Sequence, residues 1–330
     1  MGTLPTERLK PSPAFFYSAV DLFGPFIIRD IVKKRTHGKA YGVIFTCLTS
    51  RAVYLDITES YSTDSFMLTL RRFVTLRGYP RKMRSDVGTQ LTAARKEISE
   101  TNNEIDWNKV STFGENKGME WEFCKSADAP WENGCCEALI KSVKICLSGA
   151  IGSGVMTFAE LQTVMFEVGN HINERPIGVK TNDPNDGTYL CPNDLLLGRA
   201  SVSVPPGPWS PKDCFKLRWK FTQQVVDAFW KRWTRDFFPT LIIRQKWHTS
   251  VRNLKVGDIV MVQDSNMIRG QWKLAQICEA NPGKDGKVRD VQLRYKVLDS
   301  SSSYRGCSDM KINRSVHRLV VVLPVEEQTP

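Results

Sequence analysis

The sequence predicts an α/β core followed by a small, basic, all-β domain, and three observations carry that expectation. Runs at 17–24, 41–48 and 51–58, apolar or alternating and rich in β-branched and aromatic residues, read as strands, and a stripe at helical spacing follows at 66–76. Further helical stripes lie at 134–149 and 157–173, and short strand-like runs at 258–263, 272–280, 288–297 and 318–323 are joined by Gly-containing turns. The third observation is charge. Of a net +11 over 330 residues, positions 209–330 hold 22 Lys and Arg against 12 Asp and Glu, whereas positions 1–208 hold 24 against 23. A near-neutral body joined to a basic one fits a catalytic unit attached to a nucleic-acid grip.

In chain order, Lys33–Lys39 and Thr49-Ser50 are the turns of a three-stranded meander. Ser62-Thr63-Asp64-Ser65 offers a helix cap, Phe66, Leu68, Leu70, Phe73, Val74 and Leu76 form the buried stripe, and Gly78 with Pro80 ends the helix. Lys82–Asp86 is a short fourth strand. A helix near 92–100 and a polar loop at 101–118 precede a fifth strand at Met119–Cys124. Leu139, Ile140, Val143 and Leu147 face one side of the next helix, with Lys141 and Lys144 on another; Phe158, Leu161, Val164, Met165, Val168 and Ile172 line the helix after it. The Pro- and Gly-rich segment 178–211 is a linking or wrapping stretch. The tail opens with a helix in which Trp219, Phe229, Trp230 and Trp233 alternate with Lys231, Arg232 and Arg235, and its tryptophans read as packing residues rather than stacking platforms for bases.

Three acids stand out by their settings. Asp21 sits inside the apolar run Tyr-Ser-Ala-Val-Asp-Leu-Phe, Asp86 lies in Met-Arg-Ser-Asp-Val-Gly-Thr, and Glu137 lies in Asn-Gly-Cys-Cys-Glu-Ala-Leu-Ile-Lys-Ser-Val-Lys. A carboxylate in a buried strand costs several kcal/mol unless its charge is compensated, and a divalent metal would do that. Each acid also has a plainer reading. Asp21 before Leu-Phe-Gly could cap a turn, and Asp86 is good turn chemistry.

The order of these motifs resembles the catalytic core of retroviral and retrotransposon integrases, with an Asp, Asp, Glu triad. Asn-Glu-Arg-Pro-Ile (173–177), Cys-Pro-Asn-Asp-Leu-Leu-Leu-Gly-Arg (191–199) and the Trp-rich tail look most like the integrase region of BEL/Pao long-terminal-repeat retrotransposons, and the resemblance covers nearly the whole chain. It implies a ribonuclease-H-like core, a mixed five-stranded sheet flanked by helices, at 11–200 after a tail at 1–10. A linker and helical segment at 201–250 and a basic SH3-like β-barrel at 251–330 would follow. It also implies two Mg²⁺ or Mn²⁺ ions per active site on Asp21, Asp86 and Glu137, with Asp21 bridging them. Lys141, Lys144, Lys231, Arg232 and Arg235 would hold DNA. The activity implied is trimming and joining of element DNA ends to host DNA, by a homo-oligomer acting in the nucleus after assembly in the cytoplasm.

This sequence departs from the family at Val87, where Asn is usual, and in the 51 positions between Asp86 and Glu137, a longer interval than in retroviral integrases. Glu132 competes for the third position. It follows Trp131 at the helix start, where a carboxylate favours the macrodipole, whereas Glu137 keeps the family spacing to Lys141 and Lys144. Two alternatives remain: an inactive integrase-derived protein that binds DNA, and a ribonuclease H acting on hybrids, for which a fourth acid has no matching motif.

No run of about 18 apolar residues predicts a membrane span. The four histidines, 37, 171, 248 and 317, lack the spacing of the His-His-Cys-Cys zinc module usual in the family, so the chain is expected to start after that module or to have lost it. The nine cysteines show no Cys-x-x-Cys pair and read as small buried residues in a reducing compartment.

Overall fold

The computed structural model describes residues 7, 10–30, 37–86, 109–110, 112, 115, 118–124, 130–152, 154–179, 189–198, 218–241, 252–264, 272–295 and 310–328; the side chains of 86, 123–124, 130–138 and 179 lie outside the description. The chain forms two units, Met1–Asn173 with Trp209–Phe229, and Glu174–Pro208 with Trp230–Pro330.

The first unit is built on a mixed sheet of five strands, β1 (Tyr17–Arg29), β2 (His37–Cys47), β3 (Val53–Thr58), β4 (Lys82–Asp86) and β5 (Glu120–Cys124), in the order β3-β2-β1-β4-β5. The meander β1-β2-β3 is antiparallel, and β4 and β5 add in parallel beside β1. This is the mixed five-stranded α/β sheet expected from the sequence. β1 runs past its expected end at residue 24. Gly24, at φ +127°, and Pro25 form an irregularity in the β1–β2 register, where a proline without an N–H is tolerated, and pairing with β2 resumes from Phe26 to Arg29.

Helix α1 (Thr63–Arg77) starts where Ser62 accepts the Ser65 N–H at 3.3 Å and stops at Gly78, whose φ of +83° ends the turn. Val20, Phe45 and Tyr54 are register partners across β1, β2 and β3, so they share one face, and Phe73 of α1 stacks on Phe45 at 4.1 Å there. Asp21, Ile44 and Leu55 are the partners one residue on, and so point to the other face. Two helices serve that face, α2 (Pro130–Ile151) through Lys144 against Asp21 and α3 (Phe158–Asn173) through Gly169 against Leu55. The core is therefore double, which is why β3 is buried at every position although it is an edge strand. Asn173 at the end of α3 locks β3 by donating to the Val53 carbonyl and accepting the Val53 N–H, both at 2.8 Å. The expected helix near 92–100 lies outside the described residues.

The second unit carries structure that its Pro- and Gly-rich stretch did not announce: a two-stranded pair, β6 (Gly178–Val179) with β7 (Tyr189–Leu190), and the short helix α4 (Pro192–Leu197). They gather the two quoted motifs, since Asn193 donates to the buried Glu174 carboxylate at 2.5 Å. Burial pushes the neighbouring Cys191 thiol up to about 12. Helix α5 (Arg218–Leu241) contributes its beginning to the first unit and its end to the second.

Five antiparallel strands, β8 (Ile259–Val262), β9 (Lys273–Pro282), β10 (Val288–Tyr295), β11 (Met310–Ser315) and β12 (Leu319–Leu323), complete the second unit in the order β11-β10-β9-β8-β12. The barrel expected here is not closed among the described residues, because β11 and β12 are the two edges. It is nevertheless curled. Only Val316–Arg318 separates the edge strands in sequence, a reach of at most about 14 Å, whereas the edges of a flat five-stranded sheet lie about 19 Å apart. Val260, Val262, Ala275, Ile277, Val291, Leu293 and Leu319 fill its inside. Asp258 ties the ends together: its buried carboxylate accepts from Arg252 at 2.7 Å twice, from the Lys255 N–H at 2.8 Å and from the Val325 N–H at 2.9 Å.

Candidate functional site

Parallel pairing of β1 with β4 runs from Tyr17 with Lys82 to Val20 with Ser85 and stops there. One residue on, Asp21 and Asp86 follow at neighbouring positions, where the sheet opens at the carboxyl end of β4. Ligands of open α/β sheets bind at such ends because pairing has ceased and backbone and side chains face a crevice. The end of β4 is held in place by the Trp121 indole, which donates to the buried Ser85 hydroxyl at 2.9 Å, and by pairing of Asp86 with Cys124 of β5.

The Asp21 carboxylate has both oxygens engaged. Oδ1 accepts the Leu22 N–H at 2.8 Å, and Oδ2 accepts Lys144 Nζ at 2.7 Å. The pair is reachable from solvent, with 33% of the Asp21 side chain and 22% of Lys144 exposed. Lys144 comes from α2, whose buried residues Ile140, Val143 and Leu147 seat the helix in the core while Lys141 stays exposed. Position 137 lies two turns before Lys144 on the same stripe of α2, by helical periodicity. The backbone thus sets the positions of Asp21 and Asp86 side by side at one end of the sheet and brings α2, which carries Glu137, against Asp21 through Lys144; the side chains of Asp86, Glu132 and Glu137 lie outside the described residues.

As donors, carboxylate oxygens suit a hard divalent cation. Asp21 fits one, since its Oδ2 already accommodates a cationic group at contact distance. Among the described residues no group of three or more His, Cys, Asp or Glu could hold a metal.

A further strand acid, Asp56, is not marked out by the sequence. Asp56 of β3 is fully buried and accepts from Arg72 Nε at 2.7 Å, Ile57 N at 2.8 Å, Gln162 Nε2 at 2.9 Å and the Tyr54 hydroxyl at 3.2 Å. Burial, with Asp56 adding to it, pushes the Tyr54 phenol up. The same signal, an acid inside an apolar strand, marks both Asp21 and Asp56. Here it marks a tie between β3, α1 and α3, with Arg72 as the compensating charge.

The basic residues expected to hold DNA on the tail lie on the outer side of α5. Lys231 and Arg232 are exposed, and Arg235 binds Asp236 at 2.7 Å. The opposite side is core: Trp230 and Trp233 are buried, Trp233 stacks on Phe237 at 4.6 Å and Trp230 meets Trp272 edge-on at 5.4 Å. The packing role expected for these tryptophans holds; Trp219 is half exposed. At the start of α5, Arg218 clasps Glu160 of α3 with two bonds of 2.6 Å. Burial opposes the Glu160 charge, but Arg218 outweighs it and holds the carboxyl below the usual range. Lys82 and Arg84 of β4 do the same for Glu122 of β5, at 2.9 and 2.7 Å, against the pull of burial.

Residues 217–322 match the model of a family of unknown function, DUF5641. No curated protein matches the chain. Among solved structures, the chain is similar to one from the simian T-cell lymphotropic virus intasome in complex with PP2A regulatory subunit B56 gamma, with 9% identity, a TM-score of 0.36, and 96% of this chain and 85% of that one covered. It is similar to the catalytic core domain of BIV integrase, with 12% identity, a TM-score of 0.35, and 56% and 95% covered. It is also similar to the HTLV-2 integrase catalytic core domain in complex with magnesium, with 11% identity, a TM-score of 0.31, and 50% and 92% covered.

Proposed function

We propose that this chain is a DNA integrase of the BEL/Pao retrotransposon type, a polynucleotidyl transferase with a ribonuclease-H-like core and an SH3-like basic module. The observation that carries the reading is the register of β1 and β4. It sets the positions of Asp21 and Asp86 side by side at a strand end, while Lys144 links Asp21 to the helix that carries Glu137.

On this reading Asp21, Asp86 and Glu137 hold the divalent ions, Mg²⁺ or Mn²⁺, which when bound supply Lewis-acid activation of the attacking hydroxyl and stabilise the leaving oxygen. The chain's own residues do the positioning. Asp21 is oriented by the Leu22 N–H on one oxygen, and its other oxygen meets Lys144. Lys141, exposed on α2, meets the phosphate backbone near the scissile bond, and Lys231, Arg232 and Arg235 meet it further along. No covalent nucleophile is required. The chain works as a homo-oligomer, because two DNA ends are joined in concert, and it does so in the nucleus after cytoplasmic assembly.

The test is cleavage and joining of a branched DNA substrate with Mg²⁺ or Mn²⁺, comparing the chain with Asp86→Asn. Metal-dependent product that disappears in the variant supports the reading. No product from either, alongside salt-sensitive DNA binding, would replace it with an inactive DNA-binding relative.

A further inference from the structure

The contact between Lys144 and Asp21 has a chemical consequence beyond DNA holding. Resting on the two-metal reading above, we propose that Lys144 is a displaceable counter-ion: it holds Asp21 while no divalent cation is bound, yields the carboxylate when the cation enters, and only then turns its ammonium to a DNA phosphate.

Four features of the geometry point this way. The ammonium meets Oδ2, the oxygen left open because Oδ1 is committed to the Leu22 N–H. A divalent ion on Oδ2 and an ammonium at 2.7 Å from the same atom would repel at close range, so the two compete for that oxygen. The pair is open to water at both partners, so the contact is screened and can be given up at modest cost. The displaced ammonium also has somewhere to rest. Its Nζ already lies 5.8 Å from the centre of the Phe23 ring, two residues along β1 on the same face as Asp21. A lysine suits this exchange better than an arginine would, since its compact charge rides on a flexible stem and makes no fixed two-point fork with the carboxylate.

The device has two effects. It keeps Asp21 paired in the unloaded protein. It also couples metal loading to DNA binding through one side chain, since the cation releases the group that the phosphate needs.

The experiment is calorimetric titration of Mn²⁺ into the full chain and into Lys144→Gln, Lys141→Gln and Asp21→Asn at one pH and ionic strength. Removing the competitor in Lys144→Gln is expected to tighten Mn²⁺ binding about fivefold. Lys141→Gln removes an equal charge one turn away without the contact and should change affinity by less than about twofold; Asp21→Asn should lose binding. Unchanged or weaker binding by Lys144→Gln, with the parent chain binding normally, overturns the exchange and leaves the metal reading standing. No binding by either chain overturns both. A measurement on the unaltered chain guards against a variant that fails to fold. Reductive methylation of Lys144 should speed up when Mg²⁺ is added, and an unchanged rate would overturn the proposal.

Discussion

Replacing Asp258 by Ala tests how the second unit is held together. The carboxylate is fully buried and takes four hydrogen bonds, two from the Arg252 guanidinium at 2.7 Å and two from the Lys255 and Val325 N–H groups at 2.8 and 2.9 Å. Breaking a buried ion pair from one side costs about 3–5 kcal/mol. Arg252 is one-third exposed and keeps Glu326 at 2.6 Å, so it is not stranded, and the expected loss falls at the lower end, about 3 kcal/mol. The readout is native-state hydrogen exchange at the amides of Ile259–Val262, inside the sheet that Asp258 leads into. The pH dependence has a definite sign. Burial raises the Asp258 carboxyl, Arg252 outweighs it, and the net is a lowered folded value. Its stabilisation is therefore complete above the unfolded value, about 3.9, and is lost as pH falls through the folded value. The gap between the parent and Asp258→Ala should be full at neutral pH and shrink in acid. A gap below about 1 kcal/mol at neutral pH, or one that persists undiminished below both values, would refute this reasoning.

Other expectations follow from the same contacts. Gly42→Ala places a methyl against the ring of its register partner Phe23, two residues from Asp21, and should destabilise the first unit by about 1–3 kcal/mol in urea denaturation. Asn173→Ala leaves the Val53 N–H and carbonyl unsatisfied and should cost about 2–4 kcal/mol by the same measurement. The double change Lys231→Gln with Arg232→Gln, on the exposed side of α5, should lower the salt-dependence slope of DNA binding by about 2 without moving the melting temperature.

What was legible in the sequence was whatever local periodicity and punctuation could specify. The meander, α1 with its Ser62 cap and Gly78 stop, and the stripes of α2 and α3 were all expected within a few residues. β1 was cut short because Gly24-Pro25 reads as a strand end, whereas pairing with β2 carries the strand through the irregularity. β11 went unseen because Met310–Ser315 is an edge strand whose exposed, basic residues show no apolar alternation. The pair β6–β7 and helix α4 were masked by their Pro and Gly content; what orders them is burial of Glu174 and Cys191, which no local pattern reveals. At the candidate site, the strand positions of Asp21 and Asp86 could be read in advance. The Lys144 contact could not, since it joins residues 123 positions apart. Nor could Asp56 be told from Asp21 by strand context; the difference lies in burial, since Asp56 is fully enclosed against Arg72, 16 positions away in sequence, while Asp21 is one-third exposed.

The most direct test of the central claim is anomalous diffraction from crystals of the chain grown with Mn²⁺. Strong anomalous density is expected on the Asp21 carboxylate, shared with Asp86 and Glu137, with Lys144 withdrawn from Oδ2. Mn²⁺ absent from Asp21 at saturating concentration, with the Lys144 contact intact, would contradict it.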